Sequence, residues 1–118
     1  MNSSDAIAVF MTAANGEEAT RLAEMLVGSQ LAACVQILPE IESVYRWQGK
    51  IERQSEVLLI AKTTASLFEP LELEVRALHS YKTPEIVAVP MTTLSLPYRQ
   101  WLEAAVTREA KPRGAAPP

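Results

Sequence analysis

The chain has 118 residues, 48% of them apolar, and its 11 Lys and Arg against 14 Asp and Glu give a formal net charge of -3. That length and composition suit one globular domain and carry too much apolar content for a disordered chain. The acidic balance argues against a duplex-binding protein, which needs a basic stripe to displace counterions from phosphate.

Ala6 to Thr12 (AIAVFMT) is an apolar run with β-branched and aromatic members, which reads as a strand buried on both faces. Asn15 and Gly16 end it. From Glu17 the apolar positions Ala19, Leu22, Ala23, Leu26 and Val27 recur at helical spacing, with acids leading and Gly28 closing an amphipathic helix. Two long strands follow, Ala32 to Gln48 and Ile51 to Thr63, joined by a turn at Gln48-Gly49. Pro39 lies in the first of them. Proline cannot donate to a ladder, so that strand is expected at an edge or with a bulge, and its proline-free partner at the centre. Ser66 is expected to cap a second helix that runs to Leu78 with Pro70 in its first turns. His79 to Pro84 reads as a loop and Glu85 to Thr92 as a fourth strand, which Pro90 assigns to the other edge. Ser95 to Val106 reads as a closing helix with Tyr98 and Trp101.

The order βαββαβ followed by a helix matches the split βαβ plan, an α+β antiparallel sheet with helices on one face and strands two and four outermost. Residues 1–107 are assigned to this single domain, and the proline-rich 108–118 to a disordered tail. Without that tail the body has 8 bases and 13 acids, a net charge of -5, which favours cations over polyanions as partners. Each arm of the hairpin approaches a dozen residues, against ~5 to 6 for an ordinary strand, so the hairpin should overhang its own core. Tyr45 and Trp47 share a face near its tip, and a neighbouring subunit is their natural cover.

Chemistry is bounded by scarcity, since Cys34, His79 and Asp5 are the only residues of their kinds. One Cys and one His exclude an intrachain disulfide, a four-ligand zinc site of Cys and His, and the paired histidines of a zincin. One Asp excludes an EF-hand loop and a Walker-B pair. The four glycines are too widely spaced for a dinucleotide fingerprint or a P-loop. No nucleophile, base and orienting acid can be named together, so the chain is read as not an enzyme. The early apolar run is too short for a signal-peptide core or a span, and the first base is Arg21. The expected address is therefore the cytoplasm, without membrane or nucleic-acid partners.

Cys34, in the apolar stretch LAACV, reads as a small buried hydrophobe. His79 follows the end of the second helix. There an imidazolium would suit the helix dipole, and loop exposure would also open the ring to a copper or zinc ion. Lys62, Glu56, Glu85, Tyr45 and Tyr81 would converge if the third and fourth strands and the His79 loop met at a subunit boundary.

Taken together, LAACVQI from Leu31, SVYRWQGKIE from Ser43, Glu56, KTT from Lys62, HSYKTPEI from His79, and Tyr98 and Trp101 resemble the CutA divalent-cation tolerance family. The resemblance spans about Ile7 to Val106, over several spaced motifs. It implies a ferredoxin-like subunit, with a long hairpin between strands two and three, in a cytoplasmic homotrimer associated with tolerance to divalent metals and with copper binding. Members with assigned copper ligands use a cysteine at the end of strand one and two adjacent histidines. Here Met11 replaces the cysteine, Leu78 and His79 replace the pair, and Ser80 replaces the proline that follows. The implied metal residues are therefore His79 and Met11, whose thioether suits Cu(I). The alternative is a signalling module like the PII regulators, with Tyr45, Trp47, Lys62, His79, Tyr81 and Glu85 lining a cleft between subunits for a small effector. An RNA-recognition domain would need exposed aromatics where strand three reads EVLLIAK, and an acylphosphatase a glycine-rich loop where AANG stands.

Overall fold

The computed structural model describes residue 2 and residues 5–107, so the tail assigned to 108–118 lies outside the described residues. Along the chain run β1 (Ala6–Ala13), α1 (Gly16–Gly28), β2 (Cys34–Trp47), β3 (Lys50–Thr64), α2 (Phe68–Leu78), β4 (Ile86–Pro90) and α3 (Leu96–Val106), with a 3-10 turn, Ala65–Leu67, leading into α2. The strands form one antiparallel sheet in the order β2-β3-β1-β4. This is the α+β ferredoxin-like fold, and the two proline-bearing strands are its two edges.

β1 is central and read correctly as buried on both faces; only Phe10 keeps partial exposure. Ile7, Val9, Met11 and Ala13 of β1 join Leu59 and Ala61 of β3, Leu22 and Leu26 of α1, and Leu71 and Val75 of α2 in the main core. The alternation along β1 follows from the two-residue repeat of a strand. The other face of the sheet carries Phe10, Leu58 and Ile60, half-buried, with Leu38, Val87 and Val89 exposed. α3 closes the end of the sheet where β2 begins. Leu102 and Val106 pack on Ala33 there, and the Tyr98 hydroxyl meets the Cys34 sulfur at 3.4 Å. Cys34 is half-buried beside a tyrosine rather than sealed in the core.

Gly28 closes α1 as expected, with Gln30 as the left-handed residue beyond it at φ 61, whereas the α2 cap and the length of the fourth strand are corrected. The Gln30 and Leu31 N–H groups bond back to Val27 and Leu26 in the Schellman arrangement. The Gln30 side chain pays for that conformation by donating to the Ala105 and Thr107 carbonyls at the end of α3. Ser66 does not cap α2. It sits in the 3-10 turn with its hydroxyl 3.2 Å from that of Thr64, and α2 has no side-chain cap. The fourth strand is shorter than expected, five residues, although the Met91 N–H still bonds the Ala6 carbonyl opposite it.

The hairpin arms have 14 and 15 residues. At ~3.3 Å per residue they account for nearly all of the 50 Å long axis of the molecule. Gln48 and Gly49 both have positive φ, as a two-residue turn of type I′ requires. The β2–β3 register slips between Leu38 and Ile41, where Pro39 and Glu40 lie. That bulge adds one residue to β2, so the side chains beyond it change face. Tyr45 and Trp47 thereby come to share a face with Gln54 and Glu56 of β3 rather than with Val57 and Leu59.

Candidate functional site

Four of the residues singled out in the sequence, Tyr45, Glu56, His79 and Tyr81, meet where the α2–β4 turn crosses the end of β1. His79 is the C-cap of α2, with its N–H on the Val75 carbonyl. Its backbone then becomes extended, and the ring turns inward instead of reaching solvent. The side chain is 0% exposed. Nε2 lies 2.7 Å from the Thr12 carbonyl, which can only accept, so this nitrogen carries the proton. Nδ1 accepts the Tyr81 N–H at 3.0 Å. His79 is therefore a neutral imidazole with both nitrogens engaged, packed against the Tyr81 ring at 4.8 Å between centroids. The open loop histidine expected from the sequence is corrected: the chain reverses here and covers the ring.

Glu18 lies beneath this turn, 2% exposed. It sits three residues after Asn15, whose side chain accepts the Glu18 N–H and caps α1. One carboxylate oxygen accepts the Ala14 N–H at 2.9 Å and the other the Ser80 N–H at 2.6 Å. The second oxygen is 3.7 Å from Nδ1 of His79. Because Nδ1 is already accepting from Tyr81, this approach is a juxtaposition and not an ion pair. Burial pushes the Glu18 carboxyl up, but the Ala14 and Ser80 donors outweigh it and hold it below the usual carboxylate range.

A second chain of hydrogen bonds leads from the turn to the hairpin. The Tyr81 hydroxyl donates to Glu56 at 2.7 Å and accepts from the Gln54 amide at 3.3 Å. The Tyr45 hydroxyl in turn donates to the Gln54 carbonyl oxygen at 2.8 Å. Burial, and then the Glu56 carboxylate that Tyr81 bonds, push the Tyr81 phenol well above its ordinary value. The Pro39 bulge makes this chain possible, since it puts Tyr45 on the Gln54 and Glu56 face.

The structure thus gathers Tyr45, Tyr81, Glu56 and His79 and leaves the remaining candidates apart within one chain. Lys62 is six residues along β3 from Glu56, ~20 Å away in an extended strand, and bonds the Gln36 side chain. Trp47 is 59% exposed at the hairpin tip, opposite Lys50. Glu85 is exposed just before β4. Met11 is wholly buried in the main core, opposite Leu59 and Ile86. Sequence reasoning missed Glu18 and Gln54. The Asn15-x-x-Glu18 spacing resembles a capping box and could have marked Glu18, although the side chain reaches the Ala14 N–H rather than that of Asn15.

As a place for a cation, this donor set does not fit. Both nitrogens of His79 have partners, Met11 presents no sulfur outside the core, and no group of three His, Cys, Asp or Glu among the described residues could hold a metal ion. The arrangement can do something else. It ties the β1–α1 turn, the α2–β4 turn and the base of the hairpin into one polar network.

The family model for the CutA1 divalent ion tolerance protein matches residues 7–105. A chloroplastic protein CutA of Arabidopsis thaliana is 50% identical over 97 residues, covering 82% of this chain and 53% of the relative; the chain thus spans about half that protein's length. The divalent-cation tolerance protein CutA of Thermus thermophilus is 45% identical over 94 residues, 80% of this chain and 91% of that protein. Among solved structures, the periplasmic divalent cation tolerance protein CutA from Archaeoglobus fulgidus superimposes with a TM-score of 0.84 at 38% identity, covering 86% of this chain and 99% of that one.

Proposed function

Since the chain belongs to the CutA1 divalent ion tolerance family, we propose that it serves divalent-cation tolerance as a non-catalytic cytoplasmic homotrimer whose responsive element is the His79–Tyr81 turn. The observation that carries the trimer is the part of the second sheet face beyond α3, where exposed Leu38, Val87 and Val89 surround Phe10, Leu58 and Ile60 beside a hairpin that overhangs its own core. An apolar sheet face flanked by two open edges calls for a partner, and a second and third copy of the chain supply matching surfaces.

Copper at His79, with Met11 or a carboxylate as co-ligand, is what the resemblance implied. It would require the ring to give up a hydrogen bond on one nitrogen, and Met11 to leave the core. The occupied imidazole therefore favours the reading without a tight metal site, in which the turn and the Tyr45–Gln54–Tyr81–Glu56 chain respond to a small effector in a cleft between subunits. In that reading Trp47, Lys62 and Glu85 reach the cleft from neighbouring subunits. Calorimetric titration of Cu(II) and Zn(II) into tag-free protein and a His79→Ala variant separates the two. The expected result is no binding that depends on His79. A saturable site near one ion per subunit that disappears in the variant would instead establish His79 as a metal ligand.

A further inference from the structure

We propose that Glu18 is a positioning residue that latches the α2–β4 turn and keeps His79, the only imidazole of the chain, closed to ligands from solvent. Ser80 joins His79 to Tyr81, whose N–H holds Nδ1 of the ring, so fixing Ser80 fixes the backbone that carries both the ring and its donor. Glu18 is what holds it, through the 2.6 Å bond to the Ser80 N–H, and its other oxygen anchors the carboxylate to the Ala14 N–H. Bonds from N–H donors to a carboxylate are markedly stronger than those between neutral groups. The carboxylate is therefore one of two charge-assisted ties between this turn and the rest of the fold, the other being Glu56 on the Tyr81 hydroxyl, whereas the Thr12 and Tyr81 bonds to the ring are neutral.

The residue at position 80 gives the latch its partner. The donor is the backbone N–H of Ser80, which any residue but proline could supply. A proline has no N–H to donate, so a carboxylate at position 18 would meet no donor there. Glu18 and this N–H form the latch, and the closed imidazole is its consequence. The inference rests on the reading above that His79 carries no cation in the native protein.

Diethylpyrocarbonate tests the latch in the full chain, because it modifies accessible neutral imidazoles and a single histidine makes the absorbance change at 240 nm unambiguous. The native protein should react far more slowly than N-acetylhistidine. Glu18→Ala should react about tenfold faster than native, the change expected when a charge-assisted hydrogen bond restraining a local opening is lost. Glu18→Gln, which keeps one acceptor oxygen, should fall between. Circular dichroism checks that each variant folds; should Glu18→Ala fail, the Gln variant decides. Modification of the variants at the native rate would overturn the latch, as would native protein that reacts like the free imidazole. Cu(II) titration of the native protein reports separately on the premise: His79-dependent binding there defeats the reading of function, whereas unchanged reactivity in the variants defeats only the role of Glu18.

Discussion

Glu18 and His79 illustrate how little residue type decides alone. A histidine after a helix is compatible with a dipole contact, a metal ligand or a covered side chain, and only the reversal of the backbone after Leu78 selects the last. A glutamate in the first turn of a helix is ordinarily a solvated partner of the dipole. Here two N–H donors from different turns converge on it. Its folded-state carboxyl is held below the ordinary value, so the stabilisation is fully present above the unfolded-state value of 4.5 and is lost as pH falls through the folded one. Urea denaturation of native protein and Glu18→Gln at neutral pH and near pH 3 should show the native protein losing more stability in acid than the variant. Equal losses would mean that Glu18 gains nothing from its two donors. His79 was legible as a position of interest, but the pairing of Glu18 with Ser80 was not, because it joins residues 62 apart in sequence.

At the level of elements, the sequence determined type better than ends. Seven of the assigned segments exist as read, and the misplacements fall at the α2 cap and the end of the fourth strand. Gly28 ends α1 as read, while Gln30, two residues on, adopts the left-handed conformation and recovers its cost through bonds to α3. Gly28 therefore lies in the helix with negative φ, and a Cβ added there meets nothing within 4 Å. Gly28→Ala is expected to stabilise the protein by about 0.5 to 1 kcal/mol through reduced unfolded-state entropy, seen as a raised midpoint in thermal or urea unfolding. A lowered midpoint would show that this position needs glycine. Pro39 was read correctly as marking an edge or a bulge and turns out to mark both. The functional weight of the bulge, which transfers Tyr45 to the Gln54 and Glu56 face, depends on register and was not legible in the strand alone.

For the whole molecule, the overlong hairpin and the exposed apolar residues of the second sheet face point to the same conclusion. The interior of one subunit is complete, with Leu22, Leu26, Leu59, Leu71 and Leu102 fully buried. Among the described residues, only α3 reaches the opposite face, at the end where β2 begins. Val87 is 50% exposed and lies opposite Phe10, so Val87→Lys should leave the subunit folded while placing a charge on the surface proposed to meet other copies. Light scattering should give a trimer for the native protein and a smaller species for the variant, with circular dichroism unchanged. A native monomer at micromolar concentration would defeat the trimer itself.

Periodicity, proline placement and turn residues sufficed to determine the βαββαβ order, the two edges and the overhanging hairpin, because each is a local consequence of backbone geometry and hydrophobic patterning. The spaced motifs carried the family resemblance. What the tertiary structure alone decided is the state of the site: that His79 is buried and doubly bonded, that Met11 belongs to the core, that Lys62 lies far along the strand from Glu56, and that Glu18 secures the turn. Those outcomes depend on which distant donors and acceptors the folded chain brings within 3 Å of one another. A pattern that repeats every two or four residues along the sequence contains no record of such meetings.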